Sequence, residues 1–487
     1  MVQSIGKGTF YLMIAEAVSL FSTYIIHIGL ARYLGPDAYG IFGVLMSLYL
    51  INNAFLGDGV PKAVSKYVAE SKDKMQAIFH SSFKLQLLVA IFFCAAYVIF
   101  SEQLALVLHD ISLKPYIIFL GFMVIPLSLI PLYANGYLNG LRLFRQQALI
   151  KIIYPLFRVA FTFIFIYLGF EMFGVLAGYL IALLFGLFLC WYFVKIKDSS
   201  HTQSDARSPF PQFPLRTLLA FSIPVTAAAL GLTLIRNVNV LFLKSLMGDN
   251  ILVGYYTAAA TLSNVPYLIF SALPLALLPA ISRSVAAQET ALTKKYITQS
   301  VRYLLLLLLP MTLLVAATSK EIVTLFYSSA YTSAASVLGI LIFSSMIMVF
   351  VTTLSSIVTG SGKPHIEMIF MFIIAGTVIL LNFILIPLLG MIGAALSSLI
   401  ASLFALIIAA AYIYKKWHAL ISFLSFFRIA FCSVILFFVA SLWHFSGILI
   451  FVNYAILLLL YVLLLMLFGE LRKEDVSLVQ KIFKRGH

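Results

Sequence analysis

Two stretches decide the reading of this chain: LGPDAYGIFGVLMSL, residues 34–48, and MGDNILVGYYTAAATL, residues 247–262. Each passes through a glycine-bearing turn into an apolar helix. Gly35 and Gly40 of the first have counterparts in Gly248 and Gly254 of the second, 213 and 214 positions further on. Two more matches keep nearly the same offset. NGLRLFR (139–145, with Gly140) corresponds to TGSGKPH (359–365, with Gly360), and LGFEMFG (168–174) corresponds to LGMIG (389–393), with spacings of 220 and 219. Four correspondences at nearly one offset mark two homologous halves.

Outward from these turns the chain is almost continuously apolar. Of 487 residues 63% are hydrophobic and 10% are charged, a charged fraction less than half that of an average soluble domain, so a soluble globular protein is excluded. About 20 apolar residues cross the ~30 Å hydrocarbon core as a helix. The sequence holds about fourteen such stretches, near 9–31, 40–60, 82–101, 115–135, 148–168, 172–194, 217–243, 251–273, 301–318, 334–358, 366–388, 391–414, 428–445 and 447–468. The longest gaps, 195–216 and 274–300, are too short for a soluble domain. The expected fold is an all-α polytopic membrane protein of about fourteen transmembrane helices, with two parallel-repeat six-helix lobes and two C-terminal helices. Six is even, so both halves enter the membrane in the same direction, as in parallel repeats related by an axis along the membrane normal. The boundaries read as an N-lobe (1–195, helices 1–6), a cytoplasmic linker (196–216), a C-lobe (217–414, helices 7–12), helices 13–14 (415–468) and a basic cytoplasmic tail (469–487).

Charge placement tests the count. With a cytoplasmic N-terminus, all but six of the 32 Lys and Arg residues fall in inside segments, as the positive-inside rule requires. The exceptions are Arg32, Lys114, Lys244 and Lys320 outside, and Arg158 and Arg236 within spans. The formal charge of +15 is therefore topology, and nucleic-acid binding has no place in the reading. The first apolar stretch is too long for a signal-peptide core and reads as a retained signal-anchor helix. Cys94, Cys190 and Cys432 all lie in spans and imply no disulfide framework, and Trp191, Trp417 and Trp443 sit near span ends, where amphipathic rings favour the headgroup level.

LARYLGPDAYGIFGVLMSL (30–48), followed by GVPKAVSKYVAES (59–71), resembles the polysaccharide-transporter branch of the multidrug/oligosaccharidyl-lipid/polysaccharide exporter superfamily. The resemblance covers the whole chain and implies a multi-pass protein of the cytoplasmic membrane with both termini cytoplasmic. It further implies a flippase of a polyprenyl-pyrophosphate-linked oligosaccharide, such as a surface polysaccharide repeat unit, working by alternating access. Membrane lipids and other polysaccharide assembly proteins are the implied partners. A cation-coupled multidrug exporter and a lipid II flippase are the alternatives within the superfamily, and a scaffold for a cell-envelope enzyme complex is the alternative outside it.

Ionisable residues inside spans cost at least ~2.5–3.5 kcal/mol each at the bilayer centre, so they usually turn inward and carry function. Arg158 in helix 5 and Arg236 in helix 7 are the candidate binding residues for a pyrophosphate, because a guanidinium stays charged and matches phosphate oxygens with paired donors. The competing reading pairs each with a carboxylate or with backbone carbonyls between helices. Asn53, Asn237 and Asn264 are candidate polar cavity residues, although inter-helix bonding is the more common use of such amides. Glu16 and Asp58 are candidates for ion coupling, since a desolvated carboxylate can take up and release protons. Against this, Glu16 could pair with Arg158 or Arg236, and Asp58 could cap a helix beside Pro61. His27 reads as a packing residue and Glu367 as interfacial.

No enzyme signature competes. TGSGKP lacks the full phosphate-loop spacing, and Pro364 stands where a magnesium-binding Ser or Thr would be needed. The eight histidines form no HExxH and no Cys/His cluster, so no metal and no cofactor is expected. A membrane glycosyltransferase would need larger external loops than these short, nearly uncharged ones. The segment 61–74 reads as an interfacial helix. The tail spaces Leu471, Val476, Val479 and Phe483 as a short amphipathic helix would.

Overall fold

The computed structural model describes residues 5–199, 213–270, 272–443 and 447–471. Its helices, in chain order, are α1 (Ile5–Gly57), α2 (Gly59–Glu70), α3 (Met75–Ile99), α4 (Ser101–Val107), α5 (Lys114–Pro131), α6 (Phe144–Tyr167), α7 (Glu171–Ser199), α8 (Leu215–Met247), α9 (Asn250–Ser263), α10 (Val265–Phe270), α11 (Ala272–Ala286), α12 (Thr290–Ala317), α13 (Ser319–Phe326), α14 (Ala334–Gly360), α15 (Pro364–Trp417), α16 (Phe423–Leu442) and α17 (Leu449–Leu467). Among the described residues there is no β-strand. By its contacts the chain divides into two units, Met1–Thr257 and Ala258–His487.

Among the described residues twelve helical stretches are long and apolar enough to span a bilayer, and two of them are hairpins. A straight helix of 53 residues would be about 80 Å long, over twice the hydrocarbon thickness. α1 instead breaks at Gly35, whose φ of 77° and ψ of 176° lie outside the helical region. That conformation needs glycine, and Pro36 then occupies the first turn of the next helix, where its missing N–H costs nothing. The reversal is visible in His27 Nδ1, which lies 2.8 Å from the Tyr39 hydroxyl; twelve residues of straight helix would separate them by about 18 Å. α15 breaks in the same way at Gly390, with φ 57°, and brings the rings of Phe370 and Tyr412 to 6.3 Å. Counting each hairpin twice gives the fourteen spans expected.

The repeat is written in the order of elements. Helix α3, the short α4, a single 3-10 turn (Ile111–Leu113) and α5 are matched by α12, α13, a 3-10 turn (Ser329–Tyr331) and α14, each starting 215 to 220 positions later. Left-handed backbone recurs at the same junctions. Gly35 is matched by Gly248, Gly169 by Gly390, and Arg142, with φ 58°, by Gly362.

The gap between spans read at 274–300 is mostly helix: α11 fills it and α12 already starts at Thr290. Its apolar face explains why: Leu277 and Ile281 are buried, and Ser284 shares a 2.8 Å hydrogen bond with Thr293 of α12. α11 is the second-half counterpart of α2, which forms where the interfacial helix was expected. The expected tail helix beyond Leu471 and most of the linker lie outside the described residues.

In the second unit α16 and α17 are fastened to α12 by a buried ionic cluster. Arg302 donates from Nε to Glu470 Oε1 at 2.8 Å and from Nη2 to the Glu470 carbonyl at 2.6 Å. Arg428 of α16 donates to the Gly469 carbonyl at 3.2 Å. The Tyr461 hydroxyl of α17 donates to the Leu306 carbonyl. Helices 13 and 14 of the sequence reading therefore have a specific seat on this unit.

Candidate functional site

The first half of α1 and α6 run parallel at one register. Gly8 lies under the Phe144 ring and Gly29 under the Phe163 ring; between them Glu16 meets Lys151 and Thr23 meets Arg158. All four pairs are separated by 134 to 136 positions, so the two helices ascend together. Arg158 is carried into this seam by a buried face of α6 that also bears Pro155, Thr162 and Ile166.

Arg158 is 8% exposed. Its Nη2 donates to Thr23 Oγ1 at 2.9 Å, and that hydroxyl donates onward to the Ser19 carbonyl at 2.9 Å, so its lone pair is turned to the guanidinium. The guanidinium carbon lies 5.2 Å from the centre of the Tyr179 ring and 5.7 Å from that of Tyr154. Tyr154 in turn bonds the Tyr49 hydroxyl at 3.1 Å. Arg158 Nε is buried with no hydrogen-bond partner. Among the described residues no carboxylate pairs with Arg158. Burying a cation costs several kcal/mol, whereas two ring contacts return about 0.5–2 kcal/mol each. The aromatic and hydroxyl box orients the charge and leaves it positive, with a donor free for an anion.

The other candidates are placed as follows. Glu16 does not meet either arginine of the sequence reading; its Oε1 lies 2.6 Å from Lys151 Nζ, and its side chain is 62% exposed. The reason is helical spacing, because Lys151 stands two turns before Arg158 on the face of α6 that opposes α1. Asp58 occupies the N-cap position of α2 without capping it, and its carboxylate pairs with Lys62, four residues on, at 2.6 Å. Arg236 is half-buried on α8. Asn237 donates to the Thr233 carbonyl of its own helix at 2.9 Å. Asn53 is half-buried on the second half of α1, and Asn264 sits at the break between α9 and α10. His27 packs between Tyr39 and Phe42. The Glu367 carboxylate accepts from the Thr359 hydroxyl. Among the described residues no group of three or more His, Cys, Asp or Glu could hold a metal ion.

Three polar features escaped the sequence reading. Asn52, adjacent to Asn53, is the fully buried amide: its Nδ2 donates to the Tyr97 hydroxyl at 3.0 Å, and that hydroxyl donates back to Oδ1 at 3.2 Å. The signal was present, since Leu45, Tyr49, Asn52 and Leu56 form one buried stripe at helical spacing. Replacing Tyr97 with Phe strands both amide atoms and is expected to cost about 1–3 kcal/mol, visible as a lower melting temperature in detergent; adding Asn52→Leu should recover part of it. Gln86 joins α3 to α1 and α5 through the Leu56 and Ser128 carbonyls, at 2.6 and 3.2 Å.

The third is an ionic cluster at one end of the first unit. Lys244, at the end of α8, is fully buried. Its Nζ donates to Asp110 Oδ2 at 2.8 Å, to Asn250 Oδ1 at 2.6 Å and to the Gly248 carbonyl at 3.1 Å. Ser112 holds the other Asp110 oxygen through its backbone N–H at 3.1 Å and its hydroxyl at 2.5 Å. Burial acts to raise the Asp110 pKa, but the hydrogen bonds from Lys244, Ser112 and Asn250 and the Lys244 charge outweigh it and hold the carboxyl below its usual range.

Comparison with known proteins agrees with this architecture. The profile of the family described as polysaccharide biosynthesis protein matches residues 5–285, and the MatE profile matches residues 224–384. An uncharacterized membrane protein of Methanocaldococcus jannaschii is 26% identical over 416 residues, covering 82% of this chain and 95% of that protein. Stage V sporulation protein B of Bacillus subtilis is 24% identical over 333 residues, covering 62% of this chain and 63% of that protein. Among solved structures, the lipid II flippase MurJ in an inward closed conformation gives a TM-score of 0.76 at 16% identity, covering 95% of this chain and 98% of that one. An inward-facing multidrug resistance MATE transporter gives 0.67 at 16% identity, covering 84% and 98%. The chain thus belongs to the polysaccharide biosynthesis protein family, in the polysaccharide-transporter and flippase branch of the multidrug/oligosaccharidyl-lipid/polysaccharide exporter superfamily, and is a multi-pass membrane transporter.

Proposed function

We propose that this protein translocates a polyprenyl-pyrophosphate-linked oligosaccharide, a surface polysaccharide repeat unit, from the cytoplasmic to the outer leaflet of the cytoplasmic membrane by alternating access. In this reading both termini are cytoplasmic, and the halves 1–195 and 217–414 rock about a shared axis. The observation that carries the proposal is Arg158, a buried guanidinium held by hydroxyl and ring contacts with no carboxylate among the described residues. Such a charge suits a pyrophosphate, whose oxygens accept bidentate guanidinium donors. Arg236 is assigned as the second cation for the same headgroup. Asn53, Asn237 and Asn264 are assigned to the sugar path, and Glu16 and Asp58 to ion coupling, with Lys151 and Lys62 as the counter-charges each must release.

Purified protein in proteoliposomes provides the test. Fluorescent polyprenyl-pyrophosphate oligosaccharide should become accessible to a leaflet-specific quencher far faster than in empty vesicles, while a cationic dye should show no protein-dependent movement. Transport of the dye alone would assign the protein to drug export, and transport of lipid II alone would reassign the cargo.

A further inference from the structure

The two glycine turns that open the halves of the repeat are packed against each other, and the contact is symmetric. A Cβ on Gly40 would lie 1.9 Å from the Asn250 carbonyl oxygen, and one on Gly254 would lie 2.0 Å from the Pro36 carbonyl oxygen. Asn250 follows Pro36 by the same 214 positions that separate Gly254 from Gly40. Each turn therefore offers its glycine to the other turn's backbone, an isologous contact of the kind a two-fold axis produces. One turn deeper, Gly43 lies against the side chain of Thr257. At these points the seam is a contact of glycine with backbone and with the short Thr257 side chain.

The ionic cluster sits beside this seam. Lys244 and Asn250 belong to the α8–α9 turn, and Asp110 and Ser112 to the segment before α5. Ser245 adds a 2.7 Å hydrogen bond to the Val107 carbonyl at the end of α4. A buried ion pair contributes little net stability, because its attraction is offset by the hydration its partners give up, yet it is specific for one geometry. Parting such a contact returns both charges to water. Parting an apolar interface of equal size returns nothing. The charge segregation of the sequence puts Lys244 and Lys114 on the membrane face opposite the termini.

We infer that the paired turns at Gly40 and Gly254, held by Asp110, Lys244 and Asn250, form a latch that closes the passage at that face and parts once in each transport cycle. This inference rests on the alternating-access reading above, and it assigns Asp110 and Lys244 as gating residues that do not touch the cargo. Weakening the latch should expose the seam, and fixing it should stop the cycle.

The test uses full-length protein in vesicles of known orientation, with Cys94, Cys190 and Cys432 replaced by alanine and Thr257→Cys as reporter. A membrane-impermeant maleimide added at the latch face should label the reporter at least fivefold faster in Lys244→Met than in the unmodified latch. The wedge variant Gly254→Val should do the same, and Lys244→Met retains the test if Gly254→Val does not fold. A second protein carries Asp110→Cys and Lys244→Cys joined by a short thiosulfonate cross-linker, with Thr257 native. It should lose lipid movement when bridged and regain it on reduction. Equal labelling in all variants, or full transport by the bridged protein, would overturn the latch. If labelling follows expectation while none of the test lipids moves, the latch stands and the assignment of the cargo fails.

Discussion

Arg158→Met is expected to leave the protein folded and to reduce lipid translocation roughly 10- to 100-fold, the equivalent of losing one charge-assisted contact worth about 1.5–3 kcal/mol at 1.4 kcal/mol per tenfold. The two halves of this expectation come from the same geometry. A buried arginine paired to a carboxylate cannot be removed cheaply, because its partner is left charged in a dry site at a cost of about 3–5 kcal/mol. Arg158 has no such partner among the described residues. Its Thr23 contact is a hydroxyl that keeps its bond to the Ser19 carbonyl. Removing the guanidinium relieves its desolvation and loses two ring contacts, so the melting temperature in detergent should hardly move. Arg158→Lys should fall between, since an ammonium keeps the charge and loses the planar fork that grips two oxygens. Unchanged translocation would remove Arg158 from the site. A large drop in melting temperature with proportional loss of transport would make it a structural residue.

Arg302→Met should show the opposite pattern, a loss of stability before any loss of mechanism. Glu470 is 2% exposed and takes its close contacts from Arg302, while Arg428 stands 3.9 Å from its other oxygen. Deleting Arg302 strands a buried carboxylate, at about 3–5 kcal/mol, and loosens the end of α17 from α12. The expected result is the largest fall in melting temperature of the variants described here, with protease cutting near residue 470. The double variant Arg302→Met/Glu470→Met should recover most of the loss, because two apolar side chains of similar volume replace a pair whose net contribution is small. A double variant as unstable as the single one would show that packing, and not the stranded charge, sets the cost.

The spans and their turns were legible because the bilayer leaves few choices: backbone groups must be satisfied within each helix, and a reversal inside a long apolar run needs a residue such as Gly35 or Gly390. Helix α11 was not, since Pro274 and Pro279 interrupt its short apolar run and Arg283 ends it. Only its place as the partner of α2 in the repeat could have shown it. Within the candidate site, Arg158 was conspicuous as a charge inside a span, but its box was not. Thr23 lies 135 residues away, and no local pattern says that Lys151, two turns earlier, will take Glu16 instead. The repeat favours Asn53, which falls near the place equivalent to Asn264, whereas helical phase puts Asn52 on the buried stripe. The Asp110–Lys244 pair spans 134 positions, and in a sequence Lys244 is only a cation outside the membrane.

The most direct measurement is mass spectrometry of polyprenyl-pyrophosphate lipids from cells lacking this protein, combined with an assay of the leaflet that holds them. An intact lipid-linked oligosaccharide accumulating on the cytoplasmic face, and cleared by the native protein but not by Arg158→Met, is the predicted result. No accumulation, together with raised sensitivity to cationic drugs, would contradict it and would take the assignment of Arg158 and Arg236 with it.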